Sequence, residues 1–260
     1  MESAANMARA DVNLSNSTEI PRPRAGTDRS RFLIAGAWSG VVGALLTFVA
    51  NGLHPHPSDF HLEVLLKEIA QNPYWPSLHL LLLFALALVL GALLALTFTI
   101  DREPAATVVK YAWLAALLGG SLIFVSTAMD GFSNIYLARA WMDAPAAERA
   151  TALRLASALY DAQYAVYSLS VVIFLGVGIF LYGIGTVLSG VYPKLVGWLA
   201  VLSGAGAFAV GVLQVLNGPA YRATEIFFVV FSMLSTLWVL TMGILMWRKV
   251  RDTHTNLGMP

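Results

Sequence analysis

The chain has 260 residues, of which 58% are hydrophobic and 12% charged, with a formal net charge of +1. Soluble domains carry about 25% charged residues, so this is a membrane composition, and a mean hydropathy of +0.69 agrees. No basic stripe suits a nucleic acid, and the absence of cysteine excludes a disulfide, a thiolate metal site and a thiol nucleophile.

Residues 1–31 end in "PRPRAGTDRSR" and read as a polar, disordered cytoplasmic tail with nothing to bury. The first apolar run, Phe32–Leu53, starts too late and is too long for a secretory signal. It carries Gly36 and Gly40 in a G-x-x-x-G spacing, which serves either dimerisation or close packing within the chain. Directly after it comes "NGLHPHPSDFH", which places three of the five histidines in eleven positions. In "FHLEVLLKEIA", residues 60–70, Leu62, Leu65, Leu66 and Ile69 share one helical face. Ser58 or Asp59 is placed to cap that helix. An amphipathic helix here fits either the membrane surface or the ends of neighbouring helices.

Five further runs follow: Leu78–Ile100, Thr107–Met129, Tyr164–Leu188, Leu195–Leu216 and Ile226–Trp247. Each matches the roughly 20 apolar residues that cross a bilayer as a helix. None alternates like a barrel strand. The third run is open to continuation through "DGFSNIYLARAW". Before the fourth, residues 145–163 carry no helix breaker and predict a long extension, with Pro145 in its first turn and Asp143 near its cap. The expectation is an all-α membrane protein: a six-helix domain over 32–250, flanked by tails at 1–31 and 251–260.

With the N-terminus inside, the inner segments carry Arg9, Arg22, Arg24, Arg29, Arg31, Arg102, Lys110, Lys194, Arg248, Lys249 and Arg251. The outer segments carry Lys67, Arg139, Arg149, Arg154 and Arg222, which completes the sixteen basic residues. Positive charge marks the cytoplasmic side, so both termini are expected inside.

This direction brings polar side chains from all six helices to one outer level, while the inner halves of the spans carry almost none. His54 and His56 follow the first span, and His79 opens the second. Asp130 and Asn134 end the third. Tyr160, Asp161, Gln163 and Tyr164 begin the fourth, Gln214 and Asn217 end the fifth, and Glu225 begins the sixth. The plain explanation is that polar residues cost little at helix ends near the interface, with Tyr74 and Trp75 in the aromatic belt. The sharper one is a metal site. Neutral imidazoles and carboxylates bind Zn, Cu or Fe, and His54, His56, His79, Asp130 and Asp161 are the candidate ligands. A haem held by two of these histidines ranks lower, because transmembrane haem ligands tend to lie deeper in a helix. Asn134, Tyr164, Gln214, Asn217 and Glu225 would line a ligand pocket. No H-E-x-x-H motif is present.

This pattern supports a multi-pass protein with an extracytoplasmic polar pocket for a small ligand or metal ion. The alternatives are a metal-dependent enzyme at the outer interface, such as a lipid hydrolase, and an accessory subunit without a ligand. Transport is disfavoured, since no ionisable residues relay through the inner halves. The partner is the lipid bilayer, with a homo-oligomer or a membrane complex left open.

The stretch "GIFLYGIGTVLSGVYPKLVGWLAVLSGAGAF", residues 178–208, resembles a bacterial family of six-span membrane proteins to which no function is assigned. The shared features are Ser189 and Gly190 at the end of the fourth span, Pro193 and Lys194 in the turn, and Gly197, Trp198 and Leu199 opening the fifth. His54, Pro55, Trp75 and His79 form an "HP…W-x-x-x-H" element that resembles other bacterial membrane proteins. The resemblance implies a six-span fold in the bacterial cytoplasmic membrane and carries no activity.

Overall fold

In hydrocarbon every backbone N–H and C=O must find a partner within its own segment, and the apolar runs meet that demand as helices. The computed structural model describes residues 25–55, 61–218 and 223–256. Its elements are α1 (Ala25–Leu53), α2 (Leu62–Gln71), α3 (Trp75–Thr99), α4 (Ala105–Asp143), α5 (Arg149–Ser189), α6 (Lys194–Asn217) and α7 (Ala223–Asn256). All but α2 are long and apolar enough to cross a membrane. The chain is a multi-pass α-helical membrane protein, as its hydropathy predicts. Helix α1 begins at Ala25, ahead of the apolar run, and α7 continues through Asn256. Residues 1–24 lie outside the described residues, as do Ser58, Asp59 and His56.

Two spans are far longer than a bilayer requires. Helix α4 has 39 residues and α5 has 41. At 1.5 Å per residue they reach about 60 Å, twice the roughly 30 Å of hydrocarbon. Their extensions meet α2 at one end of the bundle. There Leu66 and Ile69 of α2 are buried with Trp75, with Ile135 and Ala138 of α4, and with Ala156 of α5. The amphipathic helix therefore packs on helix ends. Each fully buried leucine or isoleucine stabilises this contact by about 1.5–3 kcal/mol. Helix α5 starts later than predicted. Pro145 opens a preceding turn whose carbonyl accepts the N–H groups of Glu148 and Arg149, and Asp143 closes α4 instead of capping α5.

The connections at the other end are short. Gly190 ends α5 at φ 63°, a left-handed conformation that suits glycine, and Pro193 precedes α6. The tight glycine–proline turn expected between the fourth and fifth spans is present. Tyr192 in that turn donates to Thr99 Oγ1 at 2.8 Å. Burial pushes its phenol up to about 12, outweighing the opposing effect of the Thr99 bond, so it remains a donor near neutral pH.

Small residues let the helices approach closely. A Cβ on Gly40 would lie 3.2 Å from Ala92 Cβ and 3.3 Å from Gly243 Cα, and one on Gly36 would collide with Ala95. The first-span G-x-x-x-G thus packs α1 against α3 and α7 within the chain. Gly119 faces the backbone of Phe174, and Gly204 that of Phe180. Phe174 belongs to a π-helical stretch of α5, Val171–Ile179. A second π-helical stretch, Met129–Asn134, interrupts α4.

Candidate metal centre

Where α1 ends, Pro55 stops helix propagation, and His54 is held with its Nδ1 3.0 Å from the Pro55 carbonyl oxygen. His79 lies in the second turn of α3 and is 1% exposed. A π turn contains one extra residue and shifts the helical register. In the π stretch of α4 this turns Asp130 and Asn134 toward α3 and α5. The Trp75 indole N–H donates to the Asp130 backbone carbonyl at 2.9 Å, tying the start of α3 to the π stretch. The rings of His54, Trp75 and His79 pack on one another, with centroids 4.7 to 5.2 Å apart.

The hydrogen bonds decide which nitrogen carries a proton. A carbonyl oxygen only accepts, so His79 Nδ1 must donate to the Trp75 carbonyl, 2.7 Å away. The lone pair of a neutral ring is then on Nε2. That atom faces Asp130 Oδ2 at 3.0 Å, and an ionised carboxylate also only accepts. Two acceptors at this distance repel unless positive charge sits between them. Either a proton lies between them, on the ring or on the carboxyl, or a cation bridges the pair. Asn134 Nδ2 donates to the other carboxylate oxygen at 3.2 Å and lies 3.4 Å from Gln163 Oε1.

His54 supplies the third group. One ligand atom from each of His54, His79 and Asp130 lies within 4.8 Å of the others. Bonds of 2.0–2.1 Å in a tetrahedral zinc site place ligand atoms about 3.4 Å apart. His79 and Asp130 are already nearly at that spacing, and His54 lies within 4.8 Å of both. Two imidazoles and one carboxylate suit Zn or another late first-row metal. The Trp75 carbonyl and the Asn134 amide hold His79 and Asp130 in place from behind, the kind of support that metal ligands receive. The rings of His54 and His79 touch edge to face, at 67°, which leaves no room for a porphyrin between these two rings.

The group forms one wall of a chamber of about 490 Å³, within the usual range for small-molecule sites. Of the residues predicted to line a pocket, Tyr164, Gln214 and Glu225 do so. Asn134 sits behind Asp130 as its hydrogen-bond donor. Asp161 and Asn217 stand outside the group. Tyr160, Gln163, Tyr164 and Tyr167 occupy one face of α5 and line the chamber. Asp161 falls about 100° away from Tyr160 at 3.6 residues per turn and is exposed. Asn217 is exposed in the last turn of α6 and folds back to donate to the Leu213 carbonyl at 2.8 Å. His56 lies outside the described residues.

Sequence reasoning gave Trp75 no role in the site and missed the lining by Tyr167 and Thr47. The 160/163/164/167 spacing was the available signal for Tyr167. Gly131 was also missed. A Cβ there would collide with His79 Cβ and come within 2.5 Å of its Cγ. No family model, curated relative or solved structure matches the chain.

Gly131→Ala is expected to push His79 away from Asp130 and lower thermal stability in detergent by about 1–3 kcal/mol. Gly52, whose added Cβ meets nothing within 4 Å, is the control. Gly52→Ala should be neutral or stabilising by up to about 1 kcal/mol. Equal effects at both positions would contradict the packing of the π stretch on His79.

Proposed function

We propose that this is a metal-binding protein of the bacterial cytoplasmic membrane, with His54, His79 and Asp130 holding a divalent ion, zinc by its donor set, on the extracytoplasmic side. The observation that carries this reading is the facing of His79 Nε2 and Asp130 Oδ2 at 3.0 Å, with His79 Nδ1 already committed to a carbonyl. His54 beside the pair favours a metal ion over a proton, since a proton needs no third ligand. Three protein ligands leave a fourth position, and all three residues line the chamber. Structural zinc sites are closed by four protein ligands, whereas sites that bind or activate small molecules keep one position open.

The orientation is supported by the excess of Lys and Arg at the short-loop end and termini, and the bacterial setting by the resemblance over residues 178–208. The chain lacks cysteine, so single cysteines can be probed without background. Ala146→Cys should react with an impermeant thiol reagent on intact cells, and Asp101→Cys only after permeabilisation. The opposite pattern would invert the orientation.

Protein stripped with a chelator and then offered zinc should take up close to one equivalent. His54→Ala, His79→Ala and Asp130→Asn should each lower occupancy at least ten-fold, through loss of a ligand. Asp161→Asn, at an exposed position, should bind as the parent does. Failure of the stripped protein to retain zinc, copper or iron would overturn the metal reading.

A further inference from the structure

The chamber at the metal group does not end there. A second cavity of about 200 Å³ shares Thr47, Leu82, Thr127, Tyr167, Phe228 and Thr236 with it, so the two adjoin across common side chains. This arm is walled chiefly by apolar side chains, among them Leu86, Val89, Ile123, Phe174, Leu175 and Val239. Along α3 the combined walls run from Trp75 to Val89, and along α7 from Thr224 to Val239. At 1.5 Å per residue each is roughly 20 Å long. One leaflet of a hydrocarbon core about 30 Å thick spans about 15 Å. The cavity therefore reaches from the polar end past the depth of one leaflet.

Part of the cavity wall is exposed. Val229 and Met233 of α7 line the chamber and are 39% and 53% exposed. On the facing helix, Asn51 of α1 lines it and is exposed. Helices α1 and α7 meet nearer the short-loop end, where Gly243 approaches Ala37 and Val41 and Trp38 rests on Trp247.

The polar end is missing a donor. Gln214 is 4% exposed, lines the chamber, and its Oε1 has no hydrogen-bond partner. An unpaired buried carboxamide oxygen costs about 1–3 kcal/mol, and the cavity is the side from which a partner can come. Glu225 and Asp130 add carboxylate acceptors, and no Lys or Arg is among the described lining residues. Ser235 Oγ in the arm also lacks a partner, but a helical serine can reach its own i−4 carbonyl by rotating χ1, so Gln214 carries the stronger demand.

We infer that the cavity binds a single-chain neutral amphiphile whose headgroup donates hydrogen bonds, of the monoacylglycerol or long-chain alcohol class. It is admitted from the bilayer between α1 and α7. The chain occupies the apolar arm, and the head lies against Gln214 and Glu225, beside the metal group. This deepens the metal-site reading by naming what shares the chamber with the ion, and it stands on separate observations.

The test is equilibrium binding of radiolabelled 1-monooleoylglycerol, methyl oleate and oleate to the full chain in phosphatidylcholine nanodiscs, with partition into empty nanodiscs subtracted. Zinc content is measured on the same samples. Saturable binding of one monooleoylglycerol per chain is expected, about ten-fold tighter than methyl oleate, which has the chain without a donor. One or two hydrogen bonds supply that factor. Gln214→Leu, which keeps the side-chain volume, should erase the preference. Leu86→Trp, which fills the arm, should abolish binding of both, and both variants should retain zinc. Equal affinity for the two esters, tighter binding of oleate, or monooleoylglycerol binding that survives Leu86→Trp would each overturn the inference. Lipid binding as expected in samples without zinc would leave this inference standing and remove the metal reading instead.

Discussion

The site depends on one hydrogen bond, from His79 Nδ1–H to the Trp75 carbonyl at 2.7 Å. It fixes the tautomer of a buried ring and aims its lone pair at a carboxylate. Everything around the pair reinforces this. Trp75 donates to the Asp130 backbone, Asn134 donates to the Asp130 side chain, and the π stretch of α4 turns both residues inward. Gly131 leaves the space that the His79 ring occupies. A buried ring and a half-buried carboxylate held so closely, with their acceptors opposed, form a site for positive charge.

The architecture places that site at a depth where it is affordable. Polar and ionisable side chains are costly in hydrocarbon, and His79, Asp130, Asn134, Gln163, Gln214 and Glu225 gather at one end. The long extensions of α4 and α5 with α2 form a cap there, sealed by Leu66, Ile69, Trp75 and Ile135. The opposite half is closed by glycine contacts between helices and by Tyr182 and Tyr192, whose hydroxyls bond to Leu93 and Thr99. Side chains of both α1 and α7 line the chamber, among them Asn51, Val229 and Met233.

The fold was largely legible in the sequence because hydropathy and length follow directly from the demand that lipid makes on the backbone. The extension of the fourth span and the glycine–proline turn at Gly190–Pro193 were legible for similar local reasons. The site was legible only in part. His54, His79 and Asp130 were named from their common membrane level, but level does not fix the angle around a helix. Asp161 shares the level of Tyr160 and faces away, and Asn217 bonds to its own helix. The π stretch at Met129–Asn134 has no marker in periodicity, and it is what turns Asp130 toward His79. The role of Gly131 depends on a neighbour 52 positions away in sequence, which no local pattern encodes.

The central claim is that His79 and Asp130 share a metal ion with His54. Zinc K-edge X-ray absorption of the loaded protein tests it most directly. The expected spectrum has two imidazole nitrogens at about 2.0–2.1 Å and light oxygen scatterers at about 2.0–2.2 Å in a four-coordinate shell. One imidazole should disappear in His54→Ala. An all-oxygen shell without imidazole scattering, or a spectrum unchanged by His54→Ala, would contradict the account.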